Sequence, residues 1–193
     1  MTRMLAVCAV VAAVTAVAPG SGSQPPAGPA ADLYQAIRTN DLARLKALVG
    51  SRDAANAPGA FGQTPLMDGA VAGSAEAMAF LIDKGADVDA QNPFGTTALM
   101  MSAMDTAKVR LLLDRGAKVN VASKQGRTAL FVAAMSDGSA PIVRMLIAKG
   151  ADVRAKDAFQ NTVLTAAAYG NDLDTIRLVL DAGVDVNAAG VRA

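Results

Sequence analysis

Enzyme chemistry needs a proton-transfer group, an activated nucleophile or a set of metal ligands, and this chain of 193 residues is poor in all three. It has no histidine, which removes Ser-His-Asp triads, Cys-His pairs and most zinc sites. Its single cysteine, Cys8, comes too early to follow an apolar run, so Leu5-Ala6-Val7-Cys8 reads as part of a hydrophobic stretch and not as a lipid-attachment box. Two carboxylate pairs remain, Asp87 with Asp89 and Asp172 with Asp174. The first falls in a recurring loop signature and the second at a helix start, so both have a structural reading. Val184-Asp185-Val186-Asn187 repeats the same loop signature and is no metal loop. The 17 glycines show no phosphate-cradling spacing. No catalytic residue, cofactor or metal is expected, and the chain reads as a non-enzyme.

The composition indicates what is built instead. Hydrophobic residues make up 52% of the chain and aromatics only 4%, with no Trp and 9 Met. Such a core consists of small aliphatic side chains and suits closely packed helices. The 18 basic and 17 acidic residues nearly cancel, which leaves no electrostatic footprint for nucleic acid or an anionic membrane. At the N-terminus, Arg3, the apolar run Met4 to Ala18 and the small residues Ala16-Val17-Ala18 have the layout of a secretory signal. The run is short for a spanning helix, which wants about 20 apolar residues. Residues 1–18 are therefore expected to be a signal peptide, with the protein exported to a periplasm or the medium and not held at the membrane after cleavage. Loss of Arg3 would leave 17 basic against 17 acidic residues, and loss of Cys8 would leave no disulfide. Residues 19–30, rich in Pro, Gly and Ser, read as a flexible linker.

Residues 31–188 are self-similar. Leu66, Leu99, Leu130 and Leu164 each follow two positions after a threonine (Thr64, Thr97, Thr128, Thr162), at spacings of 33, 31 and 34, and an alanine follows four positions later. A threonine hydroxyl can accept an orphan N–H of a first helical turn, and Pro65 suits the first helical position, so each threonine is predicted to open a helix. A second helix follows, marked by apolar triplets such as Met78, Leu81, Ile82 and Val109, Leu112, Leu113. Gly85, Gly116, Gly150 and Gly183 come three residues after each triplet, where a left-handed cap is needed. Asp87-Val88-Asp89, Lys118-Val119-Asn120 and Asp152-Val153-Arg154 run between units, whose turns contain Gly62, Gly95 or Gly126, which suits short extended hairpins. Gln160 replaces glycine in the fourth turn.

Gly62-Gln63-Thr64-Pro65-Leu66-Met67 and Asp83-Lys84-Gly85-Ala86-Asp87-Val88-Asp89-Ala90 resemble the ankyrin repeat. The resemblance implies an all-α repeat fold, an ankyrin solenoid of helix-turn-helix units joined by β-hairpin-like loops, with about five repeats of which the first is irregular. The family's histidine after the leucine is replaced by Met67, Met100, Phe131 and Thr165, which puts a loop hydrogen bond in doubt. The Gly116 unit is two residues shorter between its helices and the Gly150 unit one longer. The Ala-rich signal and the histidine-free, Met-substituted repeats point to a bacterial source.

The resemblance also implies recognition of a protein or peptide through hairpin tips and the inner face of the first helices. Two repeated sets fall there. Val71, Met104, Met135 and Tyr169 each follow the recurring alanine, and adaptable methionine and amphipathic tyrosine suit an interface. The alternative for this stripe is lateral packing between neighbouring first helices. Phe61, Phe94 and Phe159 sit in the hairpin turns, with Gln125 breaking the series. They read either as exposed anchors or as rings packed on the adjacent hairpin.

The last second helix, Asp172 to Asp181, keeps an internal apolar pattern with Leu173, Ile176, Val179 and Leu180. That pattern leaves two further functions open. One is the repeat segment of a longer exported enzyme or electron carrier continuing past Ala193, with residues 189–193 as its truncated start. The other is self-assembly through stacking on the C-terminal repeat.

Overall fold

The computed structural model describes residues 29–186. The expected signal peptide at 1–18 and tail at 189–193 lie outside the described residues. The first helix, α1 (Pro29–Arg38), begins two residues inside the segment read as linker. It pairs with α2 (Leu42–Leu48), and a short α3 (Arg52–Ala55) and a 3₁₀ turn (Ala60–Gly62) lead to the regular units. These are α4 (Pro65–Ala72) with α5 (Ala75–Asp83), α6 (Ala98–Met101) with α7 (Thr106–Asp114), α8 (Ala129–Ala134) with α9 (Ala140–Ala148), and α10 (Val163–Gly170) with α11 (Leu173–Asp181). First helices touch in the order α1, α4, α6, α8, α10, and second helices in the order α2, α5, α7, α9, α11. Two helical layers thus run the length of the described chain, each unit packed on its neighbours as in a solenoid.

The local chemistry explains the boundaries. Thr64, Thr97, Thr128 and Thr162 all cap first helices, each hydroxyl accepting the N–H of the third helical residue at 3.1–3.3 Å. Ser74, Asp105 and Asp172 do the same for α5, α7 and α11. Gly85, Gly116, Gly150 and Gly183 close the second helices at φ 84–87°. A Cβ at the last three would meet nothing within 4 Å, so their requirement is conformational and not steric. The lost histidine has local substitutes. The Met67 sulfur accepts the Thr64 N–H at 3.5 Å, and the Thr165 hydroxyl lies 3.0 Å from that of Thr162.

Length variation acts on the helices and not on the turns alone. The unit that is two residues shorter keeps only four residues in α6, and α8 has six, against eight in α4 and α10. The hairpins also differ from expectation, because their backbone forms turns with no strand among the described residues and one isolated antiparallel bridge, Lys156 to Thr162. Side chains supply what the ladder does not. Asn92 Oδ1 accepts the Phe94 and Thr96 N–H groups, and Asp157 Oδ1 those of Phe159 and Asn161. Asn56, Asp89 and Asn120, one per unit, each accept a backbone N–H of the next loop (Asp87, Lys118, Asp152) at 2.7–2.8 Å.

The core lies between the layers. Leu66, Leu99 and Leu130 are buried, as are Met78 and Leu81, Val109 and Leu112, Val143 and Leu146. Each such side chain contributes roughly 1.5–3 kcal/mol. The irregular first unit is tied on by polar contacts: Arg38 holds the buried Asp68 carboxylate with both Nε and Nη2, and the Tyr34 hydroxyl donates toward the Gln63 and Ala57 carbonyls. Burial, and then the Asp68 charge, push the Tyr34 hydroxyl well above the ordinary phenol range.

Candidate binding face

The first-helix layer and the hairpin turns carry the two repeated sets. Val71 lies in α4 and Tyr169 in α10, both on helix surface. Met104 and Met135 lie just past the shortened α6 and α8, in the turns to the second helices. Met104 is 62% exposed, Tyr169 76% and Val71 47%. Lateral packing therefore does not consume these three. Met135 differs: it is half-buried against the core, so the structure sets one residue of the stripe apart from the others.

The tips are also open. Phe61, Phe94 and Phe159 are exposed, the last at 70%, and so is Gln125. The second, third and fourth tips are joined through the backbone. The Lys124 N–H donates to the Phe94 carbonyl at 2.9 Å, and the Ala158 N–H to the Gln125 carbonyl at 2.8 Å. Phe61 itself adopts φ 57° beside Gly62 at φ 67°, so the first tip has two successive left-handed residues where the others have one.

The acidic pairs are absorbed by the architecture. Asp87 accepts the Asp89 N–H, Asp89 accepts the Lys118 N–H, and Asp172 caps α11. Among the described residues no cluster of His, Cys, Asp and Glu could hold a metal ion. A shallow depression in the second-helix layer, lined by Pro141, Arg144, Asp174, Arg177 and Leu178, lies between α9 and α11, away from both repeated sets.

Three exposed cations were not evident as a group in the sequence: Lys124, Arg154 and Lys156, all in the third and fourth hairpins. Their signal was present, since 117–128 and 151–162 carry five basic residues against two acidic ones, but the balanced charge of the whole chain conceals it.

The last described unit differs from the inner ones in exposure. Ala70, Ala103 and Ala134 are at most 4% exposed, whereas Ala168, the same repeat position, is exposed. Leu164 and Ile176 are half-buried where their counterparts in the inner units are buried.

Paired helices stacked in two layers, with side chains presented at a fixed repeat position, define a solenoid repeat protein. A family model for ankyrin repeats matches three overlapping stretches, residues 33–123, 72–157 and 106–190. The chain belongs to the ankyrin-repeat family, and its fold is an all-α ankyrin solenoid. An ankyrin repeat protein of fowlpox virus (strain NVSL) is 49% identical over 49 residues, which cover 25% of this chain and 10% of that protein. The chain thus spans a tenth of the length of that relative. Ankyrin repeats are in general protein–protein interaction modules. No helix among the described residues is long and apolar enough to cross a membrane.

Proposed function

We propose that this protein is an exported scaffold that recognises a protein or peptide through the first-helix layer and the hairpin tips, without catalysing a reaction. One observation carries the reading: a single repeat position presents Val71, Met104 and Tyr169 to solvent in successive and alternate units, although burying such side chains is favourable. Aromatic and methionine side chains are enriched at the desolvated centre of interfaces. Export, with a bacterial source, rests on the layout of residues 1–18 alone. N-terminal sequencing of the protein from an exported fraction tests it, and an intact Met1 recovered only from cytoplasm would sink it.

The recognition test is a charge-neutral truncation, Met104→Ser with Tyr169→Ser, used as bait beside the parent chain against the exported fraction of the source organism. Loss of about 1–2 kcal/mol per anchor would reduce partner recovery at least tenfold. Undiminished recovery by a variant with unchanged circular dichroism would rule the stripe out.

A second reading is self-association through the last unit, favoured by the exposure of Ala168 beside half-buried Leu164 and Ile176. It concerns a different surface, so both can hold.

A further inference from the structure

The near-neutral chain carries a local imbalance on the face just described. Of the basic residues in the third and fourth hairpins, Arg127 is turned inward, with its guanidinium 5.7 Å from the Phe131 ring and its Nε 3.8 Å from Asp157. Lys118 lies 3.7 Å from Asp89. Lys124, Arg154 and Lys156 are exposed, and their side chains make no hydrogen bond or ion pair among the described residues. Arg154 occupies the position at which Asn56, Asp89 and Asn120 accept an N–H from the next loop, beside the glycines that close the second helices and not among the tips. A guanidinium has no acceptor, so Arg154 cannot take part in that series.

The two lysines are interleaved with rings. The Lys124-to-Phe94 and Ala158-to-Gln125 backbone bonds place Phe94, Lys124 and Phe159 on three successive, contacting tips. Next to them the first-helix segments 97–104, 128–135 and 162–169 contain no charged residue. Of the two acidic residues in these hairpins, Asp157 is buried and Asp152 is exposed and accepts the Arg154 N–H; Asp105 and Asp137 follow the stripe at its other end. The Asp105 carboxylate is already spent on the Ala107 and Lys108 N–H groups. Charge therefore changes across the face from positive tips to an apolar floor.

We propose that this face takes an acidic peptide segment with apolar anchors, its carboxylates against Lys124 and Lys156 and its apolar side chains on Met104, Met135 and Tyr169. This rests on the reading of the face as a partner groove and adds the chemistry of the partner. Complementary charge fixes orientation and speeds encounter, and methionine adapts to varied apolar shapes. A phosphate backbone would meet the same cations, but a nucleic-acid interface of roughly 6–10 phosphate contacts needs more than the two free charges of this face.

The test is selection from a random peptide library against the immobilised full chain, followed by fluorescence anisotropy of the enriched peptides. Enriched sequences should combine Asp and Glu with Leu, Ile or Phe. They should bind about tenfold more weakly to Lys124→Glu/Lys156→Glu and to Met104→Ser/Tyr169→Ser, and lose affinity as salt shortens the Debye length. Neutral or basic enriched sequences, or affinity unmoved by the charge reversal in a folded variant, would overturn the acidic assignment and leave the groove standing. No enrichment at all would overturn both. Tighter binding of a labelled oligo-dT than of any enriched peptide would also overturn it.

Discussion

The Lys108 ammonium donates to the Ala70 carbonyl oxygen at 3.0 Å, bridging 38 residues of sequence and joining the second helix of one unit to the first helix of the unit before it. Lys108 is only 8% exposed. The Ala70 carbonyl lies in the last turn of α4, where carbonyls lack intrahelical partners and the helix dipole is negative. A buried lysine here is a cap delivered from a neighbouring repeat. Lys108→Met keeps the apolar stem and removes the donor, so the variant should lose about 1–3 kcal/mol. Urea unfolding checks this as a lower midpoint at unchanged slope, and an unchanged midpoint would deny the contact any part in stability.

Gln160 should be improvable. It holds φ 65° in the turn position where Gly62, Gly95 and Gly126 hold φ 67–74°. The left-handed conformation costs a residue with a Cβ roughly 1–2 kcal/mol, of which glycine's greater freedom in the unfolded chain takes back about half. Gln160→Gly is expected to gain about 0.5–1 kcal/mol. Gly126→Ala should lose more than the conformational cost, because its Cβ would come within 3.1 Å of Asp157 Cα and the Lys156 carbonyl oxygen. Thermal unfolding of the pair reads both signs.

What the sequence shows is what recurs. Thr64, Thr97, Thr128 and Thr162 are one residue type at one spacing with one local role, so helix starts are legible, as are the caps at Gly85, Gly116, Gly150 and Gly183. The turn residues Gly59, Asn92, Ser123 and Asp157 hold equivalent places with four different side chains. Their shared role in closing the loop therefore appears only in the structure. Lys108 and Ala70 meet across repeats, a relation no periodicity reveals. The stripe residues share one repeat position, but the loss of a helical turn in α6 and the six-residue α8 put Met104 and Met135 in turns.

Asp172 makes stability depend on pH in acid. Burial by itself would raise its pKa, but the Thr175 hydroxyl and the N–H groups of Thr175, Asp174 and Ala140 outweigh that and hold it below its ordinary value of 3.8. The folded state thus favours the charged carboxylate. Its contribution is complete above the ordinary value and is lost as the pH falls through the lower folded value. Asp172→Ala should cost about 1–2 kcal/mol near neutral pH, the usual range for a lost cap. The gap from the parent should narrow steadily below about pH 4. A gap of constant size from pH 7 to pH 2 would show that the carboxylate charge is irrelevant.

Arg38 and Asp68 should prove coupled. The Asp68 side chain is 5% exposed and that of Arg38 57%, so removing the arginine leaves a buried carboxylate without its cation. We expect Arg38→Ala to lose roughly 1–3 kcal/mol, less than for a fully buried pair because water reaches the guanidinium site. Arg38→Ala/Asp68→Ala should lose less than the sum of the single variants. Strict additivity in denaturant unfolding would contradict the pairing.

The last unit allows the self-association reading to be separated from partner binding. The exposed side of α1 and α2 is polar, with Arg44 bonded to Asp32 at 2.6 Å, so stacking the apolar last unit of one copy on the first unit of another would bury unmatched charge. Two last units facing one another avoid this, and an isologous contact closes as a dimer. Light scattering over a concentration series should therefore rise to twice the monomer mass and stop there, where head-to-tail stacking would grow without limit. Ala168→Arg puts a charge on the exposed alanine of that face and should hold the protein monomeric with its melting temperature unchanged. Peptide affinity for the stripe and tips should be the same in both forms. A monomer mass at every concentration would eliminate self-association and leave the recognition face as it is.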